Sequence, residues 1–331
     1  MGASSEGIIH KIGQIVVLVA TVYLQLFVFT LPLLGIFSLA KQLAPAPDYW
    51  QLRWDSMVSW VDSNQRIVFG VLPSLISGVA YWSLGSFFLM LDFTGWLSEY
   101  KVQLGTNQPP SPAKLGKAIR TVLFNQIFVG LFTGLAAYEF VRLAVGVPIT
   151  LDQLRELPSI PDILRKLAAF IMIREIIFYY NHRIFHHRWF YKRFHKQHHE
   201  WTAPIAVMTL DCHPLEHLLC NLLPTVVGPS LYRSHPLINY VWFFLITLRP
   251  VFTHSGYHLP FAPSSESHDF HHMVFNQNYG NIGIMDAIHG TDAQWRKTAS
   301  FQMNFTYFNL MPARQLIKSS QENKLKVKLA I

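Results

Sequence analysis

The chain contains His182-Arg-Ile-Phe-His186-His187, then His195-Lys-Gln-His198-His199, His254-Ser-Gly-Tyr-His258 and His268-Asp-Phe-His271-His272. These four motifs lie within residues 182–272, a window that holds fourteen of the 16 histidines. An even distribution would place about four or five there. Imidazole is the commonest metal ligand in proteins, and no cysteine or carboxylate pair accompanies the motifs. The window therefore predicts a histidine-rich metal site, and we expect the chemistry of the protein to occur there.

The composition indicates an integral membrane protein. Of the 331 residues, 51% are hydrophobic and only 14% are charged, whereas about a quarter are charged in typical soluble proteins. The net charge of +8 is explained by a basic cytosolic face. Nucleic-acid binding is disfavoured because the basic residues alternate with histidines and apolar segments instead of forming a stripe. Cys212 and Cys220 are interpreted as buried thiols, since two cysteines form no disulfide framework or metal motif.

The distribution of apolar residues predicts three regions. Residues 1–160 form an N-terminal transmembrane region with spans at about 14–40, 67–91 and 119–145, each long enough to cross a bilayer core of about 30 Å. Residues 92–118, with three prolines, are interpreted as a loop. Residues 161–300 form the catalytic domain, and residues 301–331 form a basic tail.

Within residues 161–300, a helix is predicted from Pro161 to His187, since proline is favoured in a first helical turn. Arg174 and Glu175 lie inside it, and we expect them to face the protein interior or water because charge is costly in lipid. The apolar stretches 215–232 and 236–251 are each interrupted by proline or glycine. They are consistent either with a membrane hairpin or with two amphipathic pieces lying on the bundle.

The spacing of the histidines predicts two metal ions rather than one. Residues three and four apart share a face of a helix, so His182 and His186 point together, as do His195, His198 and His199. The four motifs supply ten such imidazoles, whereas a zinc site takes four ligands. Iron, zinc, copper and nickel all accept imidazole; an all-nitrogen shell with open positions suits two ferrous ions that bind and reduce O₂. A zinc protease or transporter is disfavoured because the chain lacks H-E-x-x-H.

The order of the motifs resembles that of the fatty acid hydroxylase/sterol desaturase superfamily, whose members are integral membrane di-iron enzymes. Three sequences are most similar to the sterol C4-methyl oxidase branch: Tyr179-Tyr-Asn-His-Arg183, Tyr191-Lys-Arg-Phe-His-Lys-Gln-His-His-Glu200 and His268-Asp-Phe-His-His272. The resemblance covers residues 178–292. The earlier apolar segments are similar to those of the family only in being membrane segments. His289 departs from the aromatic or aliphatic residue usual in the methyl oxidases, so substrate choice can differ from theirs.

This resemblance implies an all-α integral membrane protein of the endoplasmic reticulum, with a transmembrane helical bundle and a cytosolic cap that holds a di-metal site. It also implies O₂-dependent oxidation of a lipid C–H bond, with two Fe²⁺ ions as cofactor and zinc as a substitute in isolated protein. Electrons would come from cytochrome b5 or its NAD(P)H-dependent reductase. Oxidation of a sterol C4-methyl group is favoured. The alternatives are a fatty-acyl or sphingolipid hydroxylase or desaturase, and a non-catalytic lipid-binding relative that acts in signalling.

The resemblance also implies which residues form the site. Its ligands would be His182, His186 or His187, His195, His198, His199, His254, His258, His268, His271 and His272. Helical geometry favours His186 over His187. Glu216 and Asp269 are predicted to orient ligand imidazoles, and His213 and His217 to line the pocket. Asn276 and Asp286 are interpreted either as supports behind the ligands or as turn residues, with the turn favoured.

Overall fold

The computed structural model describes residues 12–13, 15–17, 35, 39, 42–46, 48–61, 65–145 and 154–318. Its α-helices are α1 Tyr49–Val61, α2 Leu72–Thr94, α3 Pro112–Phe124, α4 Leu131–Val145, α5 Ile160–Phe185, α6 Arg188–Phe190, α7 Pro214–Glu216, α8 Leu223–Leu231, α9 Pro236–Thr253, α10 Glu266–Val274, α11 Ile284–His289 and α12 Ala299–Met303. Across these described ranges there is no β-strand, only one isolated bridge between Lys101 and Tyr257. The predicted all-helical class is confirmed.

Among the described residues, three helical segments are long and apolar enough to cross a membrane: Ile67–Thr94, Pro112–Ala144 and Pro236–Thr253. The first contains the predicted span 67–91, and the second covers the predicted span 119–145 except for its last residue. The third contains the apolar stretch 236–251 as one continuous helix; this is the second of the two stretches for which the sequence left a membrane hairpin or two amphipathic pieces open. The predicted span 14–40 lies mostly outside the described residues.

The predicted loop at 92–118 is wrong over its last seven residues, which begin α3. Pro112 occupies the first turn of this helix, where its missing N–H would have had no partner in any case. Leu115 and Ala118 then face inward and are buried. The helix therefore starts earlier than its apolar character does.

Glycines allow the long helices to approach closely. A Cβ on Gly134 of α4 would lie 2.7 Å from the carbonyl oxygen of Gly70, just before α2. A Cβ on Gly228 of α8 would lie 2.8 Å from the ring of Phe170 in α5. Small residues at such crossings are characteristic of helices that pack in lipid. The bundle is therefore tight where α4 meets α2 and where α8 meets α5.

The histidine motifs are carried by elements that meet at one end of this bundle. The N-terminus of α5 is capped by Ser159, whose hydroxyl accepts a 3.4 Å bond from Asp162 N. The last turn of the helix carries His182, and His186 is the capping residue directly after it. A π-helical turn, Tyr191–His195, and a 3₁₀ turn, His198–Glu200, follow. His254 is the residue directly after α9, and α10 carries His268, His271 and His272.

Candidate metal centre

Nine histidines form two groups. Within each group, one ring nitrogen of every histidine lies within 4.8 Å of those of the others. The five-histidine cluster consists of His182, His186, His195, His199 and His271. The four-histidine cluster consists of His198, His254, His268 and His272. The clusters are adjacent, since the ring centroids of His199 and His272 are 4.7 Å apart. Each is a candidate site for one metal ion.

The five-histidine cluster brings Nε2 atoms to separations expected around one ion. The Nε2 of His195 lies 2.8 Å from that of His186, 3.0 Å from that of His199 and 3.2 Å from that of His182. Nitrogens bound about 2.0–2.1 Å from a metal, at angles between a right angle and the tetrahedral angle, are about 2.8–3.4 Å apart. The Nε2 of His271 is buried without a hydrogen-bond partner among the described residues. The cluster therefore fits a bound cation.

The four-histidine cluster has the same geometry. His254 Nε2 lies 2.8 Å from His268 Nε2 and 3.2 Å from His198 Nε2. His272 Nε2 lies 3.2 Å from His268 Nε2. With four imidazoles, this site has fewer protein ligands than its neighbour and more room for a non-protein ligand.

Main-chain carbonyl groups fix the orientation of four of these imidazoles. In each case Nδ1 donates to the carbonyl oxygen. The pairs are His182 with Tyr279 (2.7 Å), His254 with Pro250 (2.8 Å), His271 with Gln277 (2.7 Å) and His272 with Trp201 (3.0 Å). A carbonyl oxygen can only accept, so the proton must be on Nδ1 and the Nε2 lone pair is free to bind metal. The tautomer required for ligation is thus set by the backbone.

Glu216 lies against a fifth imidazole, where the sequence predicted a carboxylate that orients a ligand. Its Oε1 lies 2.8 Å from His195 Nδ1, and both side chains are buried. A carboxylate in this position increases the basicity of the ligand. Glu216 is the residue at which α7 ends, so the short helix serves to place it.

Burial keeps the clustered imidazoles neutral. It lowers the pKa of His182 and of His254 to about 4. Burial, followed by repulsion from neighbouring histidines, lowers the pKa of His198 and His268 well below the usual value. Because only neutral imidazole binds metal, the clusters are in the ligating protonation state at physiological pH.

A loop after α10 holds the carbonyl group that orients His182, and two carboxylates organise it. Asp286 accepts from Tyr279 N (2.8 Å) and Gly280 N (2.7 Å). Glu175 of α5 accepts from the next amides of the loop, including that of residue 281 at 2.9 Å. A Cβ on Gly280 would lie 2.7 Å from an oxygen of each carboxylate, so only glycine fits between them. The sequence had favoured a turn role for Asp286 and had assigned Glu175 no role here.

The structure does not bring His187 or His258 to either cluster, which corrects the predicted ligand set. His187 has extended backbone after α5, and its Nδ1 accepts a long 3.5 Å bond from Trp189 N. His258 follows the end of α9 and a turn at Gly256, so the helical spacing from His254 does not apply. Its Nε2 donates instead to the carbonyl oxygen of Phe305 at 2.9 Å.

The other predicted support residues have different positions. Asp269 accepts from Gln103 Nε2 at 2.8 Å instead of contacting a clustered imidazole. His213 caps α7 by accepting from Leu215 N at 3.1 Å. Asn276 is exposed, which agrees with its favoured interpretation as a turn residue. His217 is buried and lines an apolar cavity.

Two cavities connect the metal centre with the bundle. The larger, about 650 Å³, is bordered by histidines of both clusters, including His182, His198 and His254. The smaller, about 180 Å³, lies between the candidate membrane helices and is mainly apolar. Both are bordered by Thr209 and Pro250. The volume of the larger cavity is typical of small-molecule sites.

Comparison with known proteins gives matches over the same region. The sequence model of the fatty acid hydroxylase family matches residues 167–291. The chain is 40% identical to fatty acid hydroxylase domain-containing protein 2 of Macaca fascicularis, over 82% of the chain and 81% of that protein. It is 31% identical to methylsterol monooxygenase 2-2 of Arabidopsis thaliana, over 76% and 95%. It is 30% identical to very-long-chain aldehyde decarbonylase GL1-8 of Oryza sativa subsp. indica, over 75% and 93%. No solved structure matches.

Proposed function

This chain belongs to the fatty acid hydroxylase/sterol desaturase superfamily, and from that premise we propose that it is a membrane di-iron monooxygenase. It would oxidise a C–H bond of a lipid with O₂, and the favoured substrate is a sterol carrying a methyl group at C4. The observation that carries the proposal is the convergence of nine buried imidazoles into two adjacent groups.

The residues present fit iron. Neither group contains a thiolate or a carboxylate, so the bound ions keep their charge and open positions remain. Two iron ions, when bound, would supply the reductive activation of O₂ that breaks an unactivated C–H bond. The protein contributes fixed nitrogen ligands and a cavity that excludes bulk water. Zinc, which accepts the same ligands, can replace iron in isolated protein.

The cavities support a lipid substrate that enters from the bundle. The smaller cavity is lined by aromatic and aliphatic side chains of three candidate membrane helices, among them Phe69, Tyr81 and Phe243. Its border with the larger cavity at Pro250 allows an apolar body to lie between helices while its reacting carbon reaches the clusters. The two cavities therefore support a substrate tunnel near Pro250, whereas His213, which was predicted to line the pocket, borders neither cavity.

The identity of the lipid is proposed from the relatives. Methylsterol monooxygenase 2-2 aligns over most of its length, which favours a sterol. A fatty-acyl or sphingoid hydroxylase or desaturase is the alternative, and it is favoured by the family match and by the similarity to an enzyme named for very-long-chain aldehydes. These functions can share one metal centre, because the cavity and not the ligand set would select the substrate.

A basic surface next to the histidine motifs supports the proposed orientation and partner. Arg183, Arg188, Lys192, Arg193 and Lys196 are exposed. Excess lysine and arginine marks the cytosolic side of membrane proteins, so the clusters would face the cytosol in the endoplasmic reticulum. The same surface suits an acidic electron donor, as proposed for cytochrome b5 or its reductase.

The test is to purify the full chain anaerobically, count iron and zinc per chain, and supply O₂, NADH, cytochrome b5 and its reductase. About two irons per chain and loss of 4-methylsterols are expected. His198→Ala should abolish turnover while the protein still inserts into membranes, and His187→Ala should retain turnover. Loss of long-chain acyl lipids instead would favour the alternative. Two bound irons with no turnover of any lipid would favour the non-catalytic relative.

A further inference from the structure

Two arginines that face the larger cavity have no counterion within hydrogen-bonding distance among the residues that the structure describes. Arg174 of α5 is only 4% exposed, and Arg249 lies in the candidate membrane helix α9. Both border the larger cavity, together with histidines of both clusters. Their guanidinium groups are close enough to repel each other. Charge in such a position is costly unless it is paired.

Among the described residues, no carboxylate forms an ion pair with either arginine. The Nε of Arg174 is buried with no hydrogen-bond partner there. Glu175 attracts both guanidinium groups, but its oxygens are occupied by backbone amides of the loop after α10. Neither guanidinium group therefore has a direct carboxylate partner among the described residues.

The other acidic groups along this cavity are already engaged. Asp286 accepts from two backbone amides and from the Thr291 hydroxyl. Asp292 is paired with Arg296 at 2.5 Å. Glu216 lies against His195. Bound metal cations, held by neutral imidazoles, would add positive charge near the two arginines, which favours an anion from outside the chain as their partner.

We propose that Arg174 and Arg249 bind a carboxylate group of the lipid. Guanidinium groups match carboxylate oxygens in paired hydrogen bonds, so two cavity-facing arginines without a direct carboxylate partner fit such a group. That the ligand is a lipid rests on the proposed function. The carboxylate can arrive on a fatty acid, or it can be formed when a sterol methyl group is oxidised to the acid.

The experiment compares the affinity of the full chain for an acid with its affinity for the matching neutral lipid. The chain is loaded with zinc and held in nanodiscs, so that no turnover occurs. The probes are radiolabelled palmitic acid against methyl palmitate, and a 4α-carboxysterol against its 4α-methylsterol, with binding to empty nanodiscs subtracted. Wild type should bind the acid of at least one pair about tenfold or more tightly than its neutral partner, the range expected for a charge-assisted bond. The pair that shows this preference identifies the source of the carboxylate.

Arg249→Gln should bring this ratio close to one while changing binding of the neutral partner less than twofold, and Arg249→Lys should restore part of it. Arg174→Gln should have the same effect on the ratio. If Arg174→Gln does not fold, Arg249→Gln alone tests the proposal. Arg183→Gln is the matched control, since it removes an exposed positive charge from the same helix as Arg174, and it should keep the wild-type ratio.

Equal binding of acid and neutral partner by wild type would overturn the proposal. So would an unchanged ratio in Arg249→Gln, or an equal loss in Arg183→Gln. Because the binding needs no reaction, an iron-loaded protein that oxidises nothing but keeps the arginine-dependent preference would contradict the proposed function alone.

Discussion

Replacing Glu216 with glutamine measures how much one buried carboxylate contributes to metal retention. Its Oε1 lies 2.8 Å from His195 Nδ1, and it contacts one ligand of the five-histidine cluster and none of the other. Loss of such a supporting group typically lowers metal affinity 10- to 100-fold. Glutamine keeps one amide oxygen as an acceptor but loses the charge. We therefore expect a decrease of about tenfold, or about 1.4 kcal/mol, in the five-histidine cluster only, and about 100-fold in Glu216→Leu.

Competition of Co²⁺ or Zn²⁺ between the full chain and a chelator measures the two affinities separately. Asp269→Asn is the control, because this buried carboxylate contacts Gln103 and no clustered imidazole. It should keep both affinities within about twofold, a change well below the effect expected for a supporting group. Equal weakening of both clusters in Glu216→Gln would show that the carboxylate acts on the fold as a whole. Unchanged affinities in Glu216→Leu would refute its role in orienting His195.

Three further outcomes are expected. Gly280→Ala should lower metal content, because its Cβ would lie 2.7 Å from two carboxylate oxygens; metal analysis of membrane-inserted protein checks this, and full occupancy would contradict it. His186→Ala should lose one ion per chain whereas His187→Ala should keep both, since only His186 belongs to a cluster; equal loss would reassign the ligand. Burial lowers the pKa of His217 to about 4, so as pH falls from about 6.5 toward 4 the unfolded state gains a proton that the folded state does not. The metal-free protein should therefore lose stability in that range, by at most about 1.4 kcal/mol per pH unit from this group, and thermal unfolding of His217→Gln should show a smaller slope.

The sequence was sufficient to predict which histidines come together where the ligands lie on regular helices. His182 and His186, or His268 and His272, share a helical face, and the structure brings each pair together. His254 and His258 have the same spacing, but α9 ends at Thr253 and the chain turns at Gly256. Spacing alone cannot show where a helix stops, so the structure was needed to exclude His258.

The residues that position the ligand imidazoles were predicted less well than the ligands themselves. Glu216 was found because it is a carboxylate near a motif, but Asp269 met the same criterion and contacts Gln103 instead. Glu175 and Gly280 lie about a hundred residues apart in sequence and meet only after α5 packs against the loop after α10. No local pattern encodes that contact. Likewise, α9 continues through Pro250 and packs against α2, a contact that no local pattern predicts.

The bonds from Nδ1 to main-chain carbonyls affect how such a sequence can evolve. A peptide oxygen is present whatever side chain its residue carries, so positions 201, 250, 277 and 279 can change identity without withdrawing the acceptor, provided the backbone keeps its course. Mutation can then alter the walls of the cavities while the ligand frame stays intact. New specificities can arise on this scaffold while the imidazoles keep the tautomer that metal binding requires.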